Sequence, residues 1–251
     1  MEYKKIFRSK LAKNLRNFLG FKPAHFLIDY EKTNMSVSDA FFWRTDNTFK
    51  TIFSFSDILN LYFKDDTSRV EILFYNKYAE LIKTFKIANL KLTNKLLIDS
   101  FFLNGITDYG TFYIYHKSNK DIGTSIRNSC YTGYSFKNNL SSFVHGNTLT
   151  SYTSYNNEES HSYIAGKSTF QKQIYQVQNN YNFEKTEIML MNPCNETILI
   201  EVNKEFYELQ KGSSKLINIK DDQLIKIKSK CYLLRPVVFN YQGIYLDVHH
   251  G

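Results

Sequence analysis

The densest run of chemically capable side chains is Arg127-Asn-Ser-Cys-Tyr-Thr-Gly-Tyr-Ser-Phe-Lys-Asn-Asn-Leu-Ser-Ser-Phe-Val-His-Gly-Asn147. Rings, amides, hydroxyls and isolated cations are what a polyhydroxylated ligand requires. Flat rings cover the apolar C–H faces of a sugar, while amides and hydroxyls satisfy its hydroxyl groups. Tyr131, Tyr134, Asn138 and Asn147 are the candidates for those contacts, and Arg127 and Lys137 for charge-assisted bonds to a carboxylate or phosphate. His145 sits between Val144 and Gly146, where a backbone can approach a ligand closely and leave the imidazole available as acid or base. A hydrogen-bonded loop histidine is the plainer reading. Trp43-Arg44, followed by Asp46-Asn47, also has two readings. Either Trp43 is a stacking platform for a sugar ring, or the group is a core anchor, a salt bridge and a turn.

A catalytic centre has less support. The patterns GxGxxG, HExxH and GxSxG are all missing. Gly166-Lys167-Ser168 imitates the end of a phosphate loop, but His161 stands where that loop needs its first glycine. His161 follows Glu158 and Glu159 and could build a metal or acid–base cluster with His116 or His145. In the enzymatic alternative His145 is a general base, Glu158 or Glu159 is its partner, and the substrate is a nucleotide- or lipid-linked sugar. That alternative requires residues 116, 145 and 158–161 to converge. No metal or other cofactor is assigned from the sequence.

The elements that must carry these residues read as strands. Val70–Tyr75, Ile82–Ile87, Lys95–Ile98 and Thr111–His116 are short, aromatic and β-branched, with Asn104-Gly105 and Tyr109-Gly110 as turn signals. Ser56–Phe63 could form a short helix capped by Ser56 or Asp57. Ile198–Val202, Lys215–Ile219, Leu224–Lys228, Tyr232–Leu234, Val237–Phe239 and Ile244–Val248 repeat the strand pattern. The spacing predicts an all-β fold of two antiparallel β-sandwich-like units, residues 36–116 and 184–251. Glu71-Ile-Leu-Phe-Tyr-Asn-Lys77 echoes Glu187-Ile-Met-Leu-Met-Asn-Pro193, which suits an internal duplication. Between the units, residues 117–183 read as a polar excursion. From His116 to Phe183, 34 of 68 side chains are Ser, Thr, Asn or Tyr and only three are acidic. Its many aromatics argue against a disordered linker, so a functional excursion is expected.

Three strings carry a resemblance. Phe42-Trp-Arg-Thr-Asp-Asn47, Tyr131-Thr-Gly-Tyr134 and Ser142-Phe-Val-His-Gly-Asn147 resemble segments of uncharacterised bacterial proteins encoded among surface-polysaccharide genes. The resemblance spans residues 40–150 and, more loosely, the C-terminal unit. It implies glycan assembly at the cell surface as the setting, and supplies no mechanism.

The formal charge of +8 resides mostly in a tail. Residues 1–22 carry a net +6, and the other 229 hold 25 basic and 23 acidic side chains, too even a balance for a nucleic-acid-binding face. Tyr3, Phe7, Leu11, Leu15 and Phe18 line one side of a predicted amphipathic helix within residues 1–35. Its cations, among them Lys4, Arg8 and Lys13, suit an anionic membrane surface, although a helix docked on its own domain fits the pattern equally. Cys130, Cys194 and Cys231 are odd in number and never CxxC, which fits a reducing compartment. The resulting expectation is a non-catalytic glycan-associated binding protein, cytoplasmic and peripheral at the inner membrane surface. Its partner would be a saccharide or a glycan-biosynthesis protein. A protein-interaction module without a small ligand is the remaining alternative.

Overall fold

The chain contains strands wetted on one face and strands apolar on both, and that difference decides its layering. The structure, a computed structural model, describes Ser9, Leu11, Ala12, Leu15 and Leu19, then residues 35–128, 130–154, 161–167, 172–178, 183–220, 224–231 and 234–250. A front sheet runs β5 (Thr93–Ile98), β2 (Lys50–Ser56), β8 (Tyr131–Ser135), β9 (Ser141–His145). The second sheet runs β11 (Ser162–Tyr163), β10 (Asn147–Ser154), β1 (Met35–Arg44), β6 (Tyr109–Lys117), β3 (Arg69–Asn76), β4 (Leu81–Ile87). A two-residue strand, β7 (Ile126–Arg127), pairs parallel with β1. The third sheet runs β16 (Ser214–Ile219), β13 (Lys185–Met191), β18 (Val237–Gln242), β19 (Tyr245–His250). The fourth runs β12 (Gln173–Gln178), β17 (Leu224–Ser229), β14 (Ile198–Val202), β15 (Glu205–Leu209). The fold is all-β with antiparallel sheets.

Three apolar seams join the four sheets. Phe53, Phe55 and Ile98 of the front sheet meet Phe41, Trp43, Ile72, Phe74 and Phe112 of the second. The opposite face of the second sheet presents Phe42, Leu73, Tyr113 and Tyr115 to Met189, Met191, Val237 and Phe239 of the third. Ile188, Leu190 and Val238 on the third sheet's far face close on Ile200, Ile225 and Ile227 of the fourth. Each fully buried Phe, Ile or Leu in these seams is worth about 1.5–3 kcal/mol. Strands β1 and β13 are covered on both faces, so Ala40-Phe-Phe-Trp43 and Ile188-Met-Leu-Met191 read as unbroken apolar runs. The outer strand β17 instead alternates Ile225 and Ile227 with Lys226 and Lys228.

Most predicted strands form. Residues 117–183, however, are not a separate excursion. β8 is central in the front sheet between β2 and β9, β10 pairs β1, and β12 pairs β17. Threonine and tyrosine suit a pleated, half-buried surface, and Ser151 Oγ finds a partner in Tyr115 Oη at 2.6 Å. Tyr109-Gly110 is also no turn: it opens β6, where a Cβ on Gly110 would strike the Tyr75 carbonyl and the Trp43 indole. The short helix α1 (Ile58–Phe63) is capped by Asp57, whose side chain accepts from Asn60 N–H at 3.1 Å. The echoing segments occupy matching places, since β3 and β13 are both interior strands that bury a glutamate, Glu71 and Glu187.

Near the N-terminus, Ala12 N–H donates to Ser9 Oγ and Leu19 N–H to the Leu15 carbonyl. Lys4, Phe7, Arg8, Lys13 and Phe18 of the expected helix lie outside the described residues, as do Tyr232 and Leu233 of one expected strand. Among the described residues no helix is long and apolar enough to cross a membrane.

One charge pins the second seam. The Arg44 guanidinium is fully buried between the rings of Phe49 and Phe239, at 4.1 and 4.8 Å from their centroids. It clasps Asp46 through two hydrogen bonds and donates to Glu187 at 2.8 Å and Tyr241 Oη at 2.9 Å. Burial pushes the Glu187 carboxyl upward, but Arg44, with Lys185 and Tyr241, outweighs it and holds the group below the usual carboxylate range. Arg44→Met should therefore lower unfolding free energy by about 3–5 kcal/mol, because Glu187 keeps its charge and loses its main partner. Arg44→Met with Glu187→Leu should recover part of that loss. Urea unfolding checks both, and a single-variant loss under about 1 kcal/mol would show a solvated pair.

Candidate functional site

The front sheet turns one face inward and leaves the other to solvent. Inward go Thr51, Phe53 and Phe55 of β2, so Ile52 and Ser54 face out. Directly opposed residues share a face, which sets two rows across the sheet. One row is Leu97, Ile52, Gly133, Phe143, and the other is Lys95, Ser54, Tyr131, His145. In the first row, a Cβ on Gly133 would lie 2.5 Å from Phe143 Cε1, so the phenyl ring leans across a position where any side chain would stand. In the second, the Tyr131 and His145 rings contact each other at 4.4 Å between centroids. Phe143 is 48% exposed, Tyr131 46% and Leu97 48%. The result is an aromatic platform with an imidazole, a hydroxyl and an ammonium along its second row.

The platform is braced from the third sheet. Ser142 Oγ accepts from Val248 N–H at 2.9 Å, and His250 Nε2 donates to the His145 carbonyl at 2.7 Å. These bonds fix the edge strand β9 without occupying the outward faces of Phe143 or Tyr131.

Other expected ligand residues are structural. Trp43 is fully buried and donates through Nε1 to the Tyr75 carbonyl at 2.9 Å, so it is no stacking platform. Arg44 is spent on the second seam. Tyr134 is fully buried as well, donating to the Phe42 carbonyl at 3.0 Å and meeting Phe239 edge-on at 4.9 Å. Arg127 grips Asp39 through two 2.7 Å bonds at the β1 bulge. Asn147 is buried in the ladder beside Ala40. Trp43, Arg44 and Tyr134 are fully buried with internal partners, where a ligand cannot reach them, whereas Arg127 stays 35% exposed and is held by Asp39.

Lys137 and Asn138 make the left-handed turn between β8 and β9, with φ of 51° and 57°. Lys137 lines a crevice of about 500 Å³ together with Phe49, Phe136, Lys185 and Tyr241. Asn138 is exposed beside it. The structure therefore brings Tyr131 and His145 together and leaves Lys137 on a neighbouring rim. Sequence reasoning missed Phe143, Gly133, Ile52 and Leu97. The available signal was a strand glycine in Tyr131-Thr-Gly133 facing an alternating Phe143-Val-His145.

The histidines do not share partners. His145 meets Tyr131, and among the described residues it bonds no carboxylate. His161 lies amid Tyr75, Tyr113, Tyr115 and Tyr163, its Nδ1 at 3.3 Å from Tyr75 Oη. His116 Nε2 accepts from Asn128 Nδ2 at 2.8 Å in full burial. Glu158 and Glu159 lie outside the described residues. Among the described residues no three His, Cys, Asp or Glu side chains gather as a metal site.

No known family model and no curated protein matches the chain. Among solved structures it is similar to mannose 6-phosphate isomerase from Bacillus subtilis, at 9% identity over 83% of this chain and 71% of that one, with a TM-score of 0.21. It is also similar to the major pilin protein T-13 of Streptococcus pyogenes, at 10% identity over 87% of this chain and 97% of that one, with a TM-score of 0.20. Likeness at this level carries no argument about fold or function.

The buried histidines do predict a pH response. Burial pushes His116 down to about 3, and burial followed by Lys211 pushes His161 down to about 4. Unfolded histidine titrates near 6.5, so between pH 6.5 and 4 the unfolded chain binds protons that the fold refuses. Stability is therefore complete above pH 6.5 and falls on acidification, for His116 by roughly 1.4 kcal/mol per pH unit in that window. Urea midpoints at pH 7 and pH 5 should differ less in His116→Gln than in the parent. Equal differences would mean that His116 titrates alike in both states.

Proposed function

We propose that this chain is a non-catalytic saccharide-binding protein of cell-surface glycan assembly, and that the front-sheet platform is its receptor. The observation that carries this reading is the exposed Tyr131–His145 pair beside a Phe143 ring laid across Gly133. Isolated exposed aromatics are ordinary, but three rings on neighbouring positions of one sheet face are less so. Sugar C–H faces stack on such rings, while Ser54, Lys95 and His145 offer hydrogen bonds to hydroxyl or carboxylate groups. The resemblance of the Tyr131–Tyr134 and Ser142–Asn147 strings to proteins of surface-polysaccharide gene clusters agrees with that chemistry.

The same proposal places the protein at the cytoplasmic side of the membrane, held by residues 1–20 against anionic lipid. Leu11 and Leu15 are 80% and 55% exposed, as a lipid-facing stripe requires. Flotation with anionic vesicles should carry the full chain upward and leave a variant lacking residues 1–20 behind.

The receptor is tested by a glycan array followed by thermal-shift titration of the best saccharide. Tyr131→Ala and Phe143→Ala should each weaken binding about tenfold, with the melting temperature of the unliganded protein nearly unchanged. Tyr134→Ala, by contrast, should destabilise the free protein. An array without any hit, or an unaltered response in the Tyr131→Ala/Phe143→Ala double variant, would remove the platform as a sugar receptor. Co-elution of a protein partner lost in that same variant would make it a protein-docking face instead.

A further inference from the structure

Two cysteines far apart in sequence meet inside the third seam. Cys194 follows β13, which belongs to the third sheet, and Cys231 follows β17 of the fourth. Their sulfurs are 2.9 Å apart although the residues are separated by 37 positions. That is closer than van der Waals contact, roughly 3.5–4.0 Å between carbon atoms and no shorter for sulfur. Both are buried, at 1% and 0% exposure. Their backbones are fixed as well: Cys194 N–H donates to Asn192 Oδ1 at 2.8 Å and Cys231 N–H to Ser229 Oγ at 3.0 Å. One strap of chain crosses both, with Ala165 bridged to Cys194 and Lys167 to Cys231. Cys130 lies elsewhere, in the first seam.

We propose that Cys194 and Cys231 are an oxidation site, forming a disulfide that ties the third sheet to the fourth beneath the 161–167 strap. A low-molecular-weight disulfide such as oxidised glutathione is a sufficient oxidant. One cysteine thiolate attacks it and releases one glutathione thiolate; the second cysteine thiolate displaces the other glutathione from the mixed disulfide. Two thiols and one oxidised glutathione give one protein disulfide and two reduced glutathiones, and the two protons end on the released thiols. Burial raises the Cys231 thiol well above its usual range, so reaction in the closed fold is slow. The bond therefore forms as the chain folds, before the strap closes, and afterwards resists reductant. In a reducing cytosol the pair stays dithiol, so its state reports the compartment in which the chain folded.

The test is refolding of the full chain from urea in oxidised and reduced glutathione, quenching with an alkylating agent in denaturant, and peptide mass analysis. The expected product is a 194–231 linked peptide pair with Cys130 alkylated and an intact mass about 2 Da below the dithiol form before alkylation. The melting temperature of the oxidised protein should drop by roughly 5–15 °C after reduction under unfolding conditions and refolding, and should not respond in Cys194→Ser/Cys231→Ser. Cys130→Ser should keep the shift. Alkylation of both Cys194 and Cys231 after oxidative refolding, or a bond involving Cys130, would overturn the proposal.

Discussion

A full positive charge lies in the middle of an aromatic seam, and the layering depends on how Arg44 is compensated there. Its carboxylates come from both ends of the chain, Asp46 two residues on and Glu187 in the third sheet. A one-residue slip of β1 would move Arg44 to the Trp43 face, among Phe53, Phe112 and Ile114, and away from Glu187. The ion pair thus favours the β1 placement that turns Arg44 toward Glu187 of β13 in the facing sheet. Phe49 and Phe239 sheathe the guanidinium, and the sheets on either side pack at the spacing those rings allow.

The strand content was legible wherever one rule sufficed. Period-two alternation found β17, and β-branched and aromatic runs found β3, β4, β6 and β14. What the chain concealed was which strands sit between others. Polarity in residues 131–154 looked like exposure, yet Thr132, Tyr134, Ser151 and Thr153 are buried, and the Tyr134 and Ser151 hydroxyls bond Phe42 and Tyr115, partners that only tertiary pairing supplies. Gly110 misled for a related reason. A glycine signals either a turn or a close approach, and Trp43 is what decides between them.

The candidate site was half legible. Residue type picked out Tyr131 and His145, which the pleat turns outward as opposed neighbours. Type alone could not separate them from Tyr134 three residues later, whose opposite parity sends the ring into the second seam. Arg127 and Arg44 show the same ambiguity for cations: each reads as a ligand for anions, and each is matched internally by an aspartate. The pleat, rather than composition, determines which polar group remains available.

The bracing of β9 by the last strand has a temporal consequence. During vectorial synthesis the platform's outer strand emerges about a hundred residues before His250, the group that clamps the His145 carbonyl. Until the third sheet is made, the face of the second sheet that carries Phe42, Leu73, Tyr113 and Tyr115 stays uncovered, and Arg44 lacks Glu187. A nascent chain of this design presents a broad apolar surface until late in its synthesis, the kind of transient exposure that favours aggregation.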